Sequence, residues 1–137
     1  MKNIDPGGLK LNQNTLWDPT NTELLSEKGQ IRMDTIDKLE IKVAEIIAVE
    51  KIENTDKLLQ LRVDAGDPQH RQIVSGLAID YPNFEELIGT KIMIFSNLRP
   101  QKLRGYISQG MLLAAKKPDG LELITISREI SNGTIVG

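Results

Sequence analysis

A chain of 137 residues, 39% hydrophobic but only 4% aromatic, suffices for one domain with a modest core built on Ile, Leu and Val. It has no cysteine and a single histidine, His70, which excludes a disulfide framework, a thiolate metal site, a cysteine nucleophile and a histidine-cluster metal centre, so neither metal nor cofactor is expected. The formal charge is −2 and no apolar run reaches signal-peptide or membrane-spanning length, so a soluble, cytoplasmic protein without a membrane partner is expected.

Residues 1–19 are rich in Asn, Gly, Pro, Asp and Thr without apolar periodicity, and read as a flexible tail with Trp17 as a docking anchor. A short helix follows, with Thr20 and Glu23 as a capping box and Gly29 at its end. Residues 1–33 are thus expected to be a tail with a short helix, and 34–137 the domain proper. Asp34 can cap a single turn through Lys38. From Leu39 the pattern alternates: Leu39, Ile41, Val43, Ile47 and Val49 on one face, Glu40, Lys42 and Ala44 on the other. The phase breaks at Glu45-Ile46, which predicts a bulge or bend in a long first strand.

Residues 52–57 form a turn, and a second strand places Leu59, Leu61 and Val63 opposite Gln60, Arg62 and Asp64. Asp64 to Pro68 is another turn; its Asp64, Gly66 and Asp67 lack EF-hand spacing. His70, beside it, is expected to be exposed. A third strand runs from Arg71 to Ser75 and stops at Gly76. Ser75-Gly76 has no visible acid–base partner, so hydrolase chemistry is not expected. Asn83 to Gly89 reads as a short capped helix, and Lys91 to Ser96 as a fourth strand. A loop then extends from Asn97 to Gly110. Met111 to Ala115 is apolar throughout and predicts a covered fifth strand. Leu121 to Ile126 and Ser131 to Val136 predict extra C-terminal strands.

Five strands with one helix between the third and fourth is the order of an OB-fold: an all-β-dominated, five-stranded Greek-key barrel, here with the extra C-terminal strands appended. In that fold ligands lie across the central strands, between the loops joining strands one and two and strands four and five. The charge distribution matches. Between Leu87 and Pro118 stand six bases (Lys91, Arg99, Lys102, Arg104, Lys116, Lys117) and no acid, while the rest of the chain carries eleven bases against nineteen acids. A local positive field on a net-negative chain suits a polyanion held at one place. Lys51 and Lys57 lie in the first loop, and Lys42 and Arg62 on the strands extend the same surface.

The run Asn97-Leu98-Arg99-Pro100-x-Lys102-Leu103-Arg104-Gly105-x-x-Ser108-Gln109-Gly110-Met111 resembles the signature of the tRNA-binding domain at the C-terminus of many methionyl-tRNA synthetases, which also occurs in stand-alone dimeric tRNA-binding proteins and synthetase-associated cofactors. Leu39 to Ala44, Thr55 to Leu58, Ile73 to Gly76 and Leu87 to Gly89 match in the same order, so the resemblance covers about residues 34–136. It implies an OB-fold that binds tRNA by shape and backbone with little sequence preference, often as a homodimer, fused to or associated with a synthetase, and without catalysis. A related bacterial secretion chaperone shares the fold and is the alternative.

Within the resemblance, Arg99, Lys102 and Arg104 are the expected phosphate ligands, Arg as a fork of donors and Lys as a point charge. Lys42 and Lys57 are expected at the rim. Asn97, Ser108 and Gln109 either donate to phosphate and sugar oxygens or tie down the loop backbone. Met111 either lies against a base or ribose or belongs to the core. Pro100 stiffens the loop, Gly105 and Gly110 serve its geometry, and Tyr106 offers a stacking face.

Overall fold

The computed structural model describes residues 28–137, so the predicted helix from Thr20 and the Trp17 anchor lie outside the described residues. The chain divides into two units, residues 1–36 and 37–137. The described part of the first unit holds one helical turn, α1 (Met33–Ile36).

The second unit is a barrel. Its long strand β1 (Ile41–Lys51) pairs antiparallel with β2 (Leu59–Asp64), which pairs with β3 (Arg71–Ser75). On its other edge β1 pairs with β4 (Lys91–Phe95). A hairpin, β5 (Gln101–Leu103) and β6 (Tyr106–Ser108), leads into β7 (Met111–Leu112), which pairs with β4. β7 and β6 also lie against β3, which brings the ring round. This is the OB-fold barrel.

β1 pairs with β4 through its first half and with β2 through its second, and it bends between them. Its register on β2 slips between Ile46 and Ala48, leaving Ile47 as the extra residue. The slip changes which parity faces inward: Ala44 and Ile46 before it, Val49 after it, all in the core. The expected face is therefore corrected. Ala44, placed with the polar residues in the sequence reading, is fully buried in the core, and Val43 is buried on the opposite face, outside the core cluster. The segment Gly133–Thr134 covers that edge, with backbone bonds to Val43 of 2.7 and 2.9 Å, and continues into β11 (Ile135–Val136), paired with Ile41 and Lys42.

The core is aliphatic. Ile46, Leu59, Leu61, Ile73, Leu77, Ile92 and Ile94 are fully buried, each contributing about 1.5–3 kcal/mol on burial. Tyr81 and Phe84 pack against it from the connection between β3 and β4. The helix predicted there is a single 3-10 turn, Phe84–Leu87, with Leu87 as its buried residue. The predicted covered strand from Met111 is interrupted: Leu113 separates β7 from β8 (Ala114–Lys117), and Met111 is half exposed. β8 turns back through Pro118-Asp119 as β9 (Gly120–Leu123), and the chain continues in β10 (Thr125–Ile126) along β4.

Candidate nucleic-acid interface

The expected basic loop is a hairpin. Gln101 faces Ser108, Lys102 faces Ile107 and Leu103 faces Tyr106, leaving Arg104-Gly105 as a two-residue turn. Both turn residues have positive φ, 51° and 85°, the geometry that matches the twist of paired strands. Glycine tolerates it without cost; Arg104 adopts it as an L-residue, which directs a cation to the tip.

Lys102 and Arg104 on the hairpin meet Lys57 of the β1–β2 loop. Together with Leu58, Gly76, Leu103 and Leu121 they line a cleft of about 630 Å³ that contains no acid. Arg104 also borders Asn54 to Leu58, a surface that includes Asp56. The β1–β2 loop is pinned by Thr55, whose hydroxyl donates to the Ile52 carbonyl at 3.0 Å, and by Lys51, which donates to the Thr55 carbonyl at 2.5 Å. Arg99, Lys102 and Arg104 are exposed, and none is in an ion pair among the described residues.

A second cleft, about 450 Å³, lies at the foot of the hairpin between Asp67, His70 and Arg71 on one side and Ser96, Leu98, Pro100 and Gln109 on the other. Arg99 projects from the segment between Leu98 and Pro100. Lys42 is on this side, separate from the acid-free cleft. Its ammonium lies 3.5 Å from Asp67 and 3.8 Å from Glu40, so its charge is largely neutralised locally. The other bases of the acid-free run disperse: Lys91 donates to the Ile130 carbonyl, and Lys117 pairs with Glu122 at 3.3 Å and Asp119 at 3.9 Å on the β8–β9 hairpin. The Lys117 pKa is raised, first by its hydrogen bond to Glu122 and then by the charge of Asp119.

For Asn97, Ser108 and Gln109 the structure shows backbone-tying bonds. Asn97 accepts from the Glu40 amide at 2.9 Å and donates to the Lys38 carbonyl at 2.7 Å. The Ser108 hydroxyl accepts from the Val74 amide and donates to the Gly110 carbonyl, both at 3.0 Å. Ser108 is only 3% exposed, and of its two expected roles the structure shows the backbone-tying one: its hydroxyl joins β6 to β3. Gln109 accepts from the Gln72 amide at 2.9 Å through its side chain, while its own amide donates to the Gln72 carbonyl at 2.7 Å. Met111, on β7 opposite Phe95, is half exposed and outside the core.

The sequence reading missed Arg71. Its guanidinium bonds Asp67 with both Nε (2.6 Å) and Nη2 (3.4 Å), and its Nη1 donates to the carbonyls of Ser96 (2.6 Å) and Gln109 (3.2 Å). The hydrogen bond from Arg71, opposed by partial burial and aided by the charges of Arg71 and Lys42, holds the Asp67 carboxyl below its ordinary pKa. No spacing signal marks this residue, because two of its partners are carbonyls far along the chain.

An OB-fold barrel that sets an unpaired basic hairpin beside its first loop belongs to the nucleic-acid-binding class of this fold. The particular family follows from comparison. Residues 41–135 match the family model described as "Putative tRNA binding domain", and the chain belongs to that family of tRNA-binding domains. Over 120 residues it is 52% identical to a methionine–tRNA ligase of Lactiplantibacillus plantarum, covering 88% of this chain and 18% of the ligase. A methionine–tRNA ligase of Streptococcus pyogenes serotype M3 is 48% identical over 128 residues, covering 93% and 19% respectively. The chain thus spans about a fifth of the length of these relatives. The crystal structure of a MetRS-related protein from Pyrococcus horikoshii superposes with a TM-score of 0.73 at 39% identity, over 79% of this chain and 98% of that one. A CsaA chaperone from Picrophilus torridus has the same fold, with a TM-score of 0.71 at 24% identity over 79% of this chain and all of that one.

Proposed function

We propose that this domain holds tRNA by its phosphate backbone across the acid-free cleft, in the cytoplasm, as a non-catalytic accessory to methionyl-tRNA synthesis and as a homodimer. The observation that carries the reading is the convergence of Lys57, Lys102 and Arg104 on one cleft, three cations from two separate loops with no acid among its walls. Like charges gathered without counter-ions repel one another, and a polyanion relieves that repulsion. Arg99 extends the positive surface toward the second cleft, and Met111 offers an apolar contact for ribose or base. Asn97 and Gln109 tie the two ends of the hairpin segment to the barrel, and Lys42 pairs with Asp67 and Glu40 beside them. Backbone contacts position a nucleic acid without reading it, so different tRNAs should bind comparably. The ligase names of the relatives support attachment to, or partnership with, a synthetase.

Leu98, Leu103 and Ile107, all exposed apolar residues of the same region, favour a second reading, capture of unfolded polypeptide. A mobility-shift competition decides between them. Labelled tRNA is challenged with unlabelled tRNA, duplex DNA and a reduced, unfolded polypeptide. The tRNA reading expects displacement by tRNA well below the concentration at which polypeptide competes. Displacement by polypeptide at lower concentration than by tRNA would overturn it.

A further inference from the structure

We propose that Asp67 and Arg71 form a positioning clamp for the basic hairpin, so that an acid beside the binding surface strengthens the grip on a polyanion. The inference rests on the tRNA reading above. Among the described residues β5 and β6 pair only with each other, as a separate two-stranded sheet. Two short strands are marginal alone, so their orientation depends on other ties. Both ends of the hairpin segment converge on one guanidinium: Arg71 donates to Ser96, the last residue before the segment, and to Gln109, the first after β6. Arg71 is itself fixed by two bonds to Asp67. Gln72, the next residue of β3, completes the fastening by donating to the Ile107 carbonyl at 2.9 Å.

Asp67 sets the aim of this fork. A planar guanidinium held on one edge by a carboxylate has its remaining donors fixed in direction, and here they bridge the two feet of the hairpin. Without Asp67 the arginine is free to rotate or to turn toward solvent. The hairpin then carries its cations on a looser mount, and binding must supply the ordering that the clamp supplies beforehand.

The clamp makes a prediction of opposite sign to simple electrostatics. Asp67→Asn removes a negative charge near the interface and leaves Lys42 with Glu40 as its one remaining acid, which charge alone would turn into tighter tRNA binding. The clamp expects weaker binding, by about tenfold, the equivalent of one immobilised segment. Arg71→Lys keeps the charge but loses the fork, and is expected to weaken binding similarly with the salt dependence unchanged. A direct phosphate contact by residue 71 would instead tolerate lysine. The second readout needs no RNA: amide hydrogen exchange at Tyr106 and Ser108 should accelerate in both variants, while that at Leu61 and Val63 in the core stays as in the parent. Binding is measured well below each variant's melting temperature. Parent-like or tighter binding by Asp67→Asn overturns the proposal, as does unchanged exchange in the hairpin. Accelerated hairpin exchange in the two variants, together with a parent protein that binds no tRNA, would leave the clamp standing and sink the tRNA reading.

Discussion

Lys102 and Arg104 differ from the other bases of their run in what surrounds them. Lys91 and Lys117 already have protein partners, whereas these two stand exposed over a cleft without acids. Replacing either by alanine should weaken tRNA binding by about 1 kcal/mol or more, equally for different tRNAs, while stability stays within about 0.5 kcal/mol. Arg128→Ala, on a surface with Glu86, Ile88 and Thr125, serves as the control in the same titrations. Parental affinity in both hairpin variants would move the site elsewhere. Asp67 makes a different prediction, about pH. Its carboxyl titrates below the ordinary aspartate range, chiefly because Arg71 hydrogen-bonds the charged form. The unfolded chain therefore takes up this proton first as pH falls. The stabilisation is fully present above the ordinary pKa of roughly 3.9 and is lost as pH drops through the lowered folded value. Acid titrations of urea stability should show a shallower loss below about pH 4 in Asp67→Asn than in the parent. Equal slopes would mean the ion pair adds nothing to folding.

Among the elements, the hairpin decides how the barrel meets a ligand, and Gly110 decides where the hairpin ends. With φ at 141°, a Cβ there would lie 2.9 Å from the Phe95 carbonyl oxygen and 3.1 Å from Ile73. Gly110→Ala should cost about 1–3 kcal/mol in urea melts, and parental stability would show that β7 can shift away from Phe95 at no cost. The long strands around this junction were legible in the sequence because alternation survives in Leu59-Leu61-Val63 and in Ile92-Ile94. The bulge in β1 was visible as a broken phase, but its consequence, Ala44 inward, was not: alanine fits either face, so only the register on β2 settles it. The hairpin read as a loop because its strands are three residues long and bounded by Pro100, Gly105 and Gly110. Its charges were plain in the sequence, and Lys57 was placed beside them by the fold. The role of Arg71 was hidden, since it acts through bonds to backbone groups 25 and 38 residues away, whereas for Ser108 the backbone-tying role was already one of two alternatives.

For the whole molecule the question is how a chain of net charge −2 retains a polyanion. Four exposed cations, Lys57, Arg99, Lys102 and Arg104, would neutralise about four phosphates in the proposed complex, which predicts a log–log salt slope of magnitude about 3–4 and weak binding at physiological salt. Two copies on one tRNA would roughly double the slope and turn the second contact into an intramolecular event. The C-terminal apolar residues do not all remain for such an interface. Leu123 lies in the core and Leu121 packs on it, leaving Ile124, Ile130 and Ile135 exposed, with Leu39 also exposed just before β1. These are the side chains on which the proposed dimer would depend. Light scattering at tens of micromolar and a salt titration of tRNA affinity therefore test one quantity in two ways. A dimer should show a slope of about 6–8, and Ile135→Glu should return both the mass and the slope to monomer values. A parent that is strictly monomeric with a slope near 3–4 would show that one barrel contacts tRNA alone, and that any further affinity comes from a covalently attached partner rather than from a second copy.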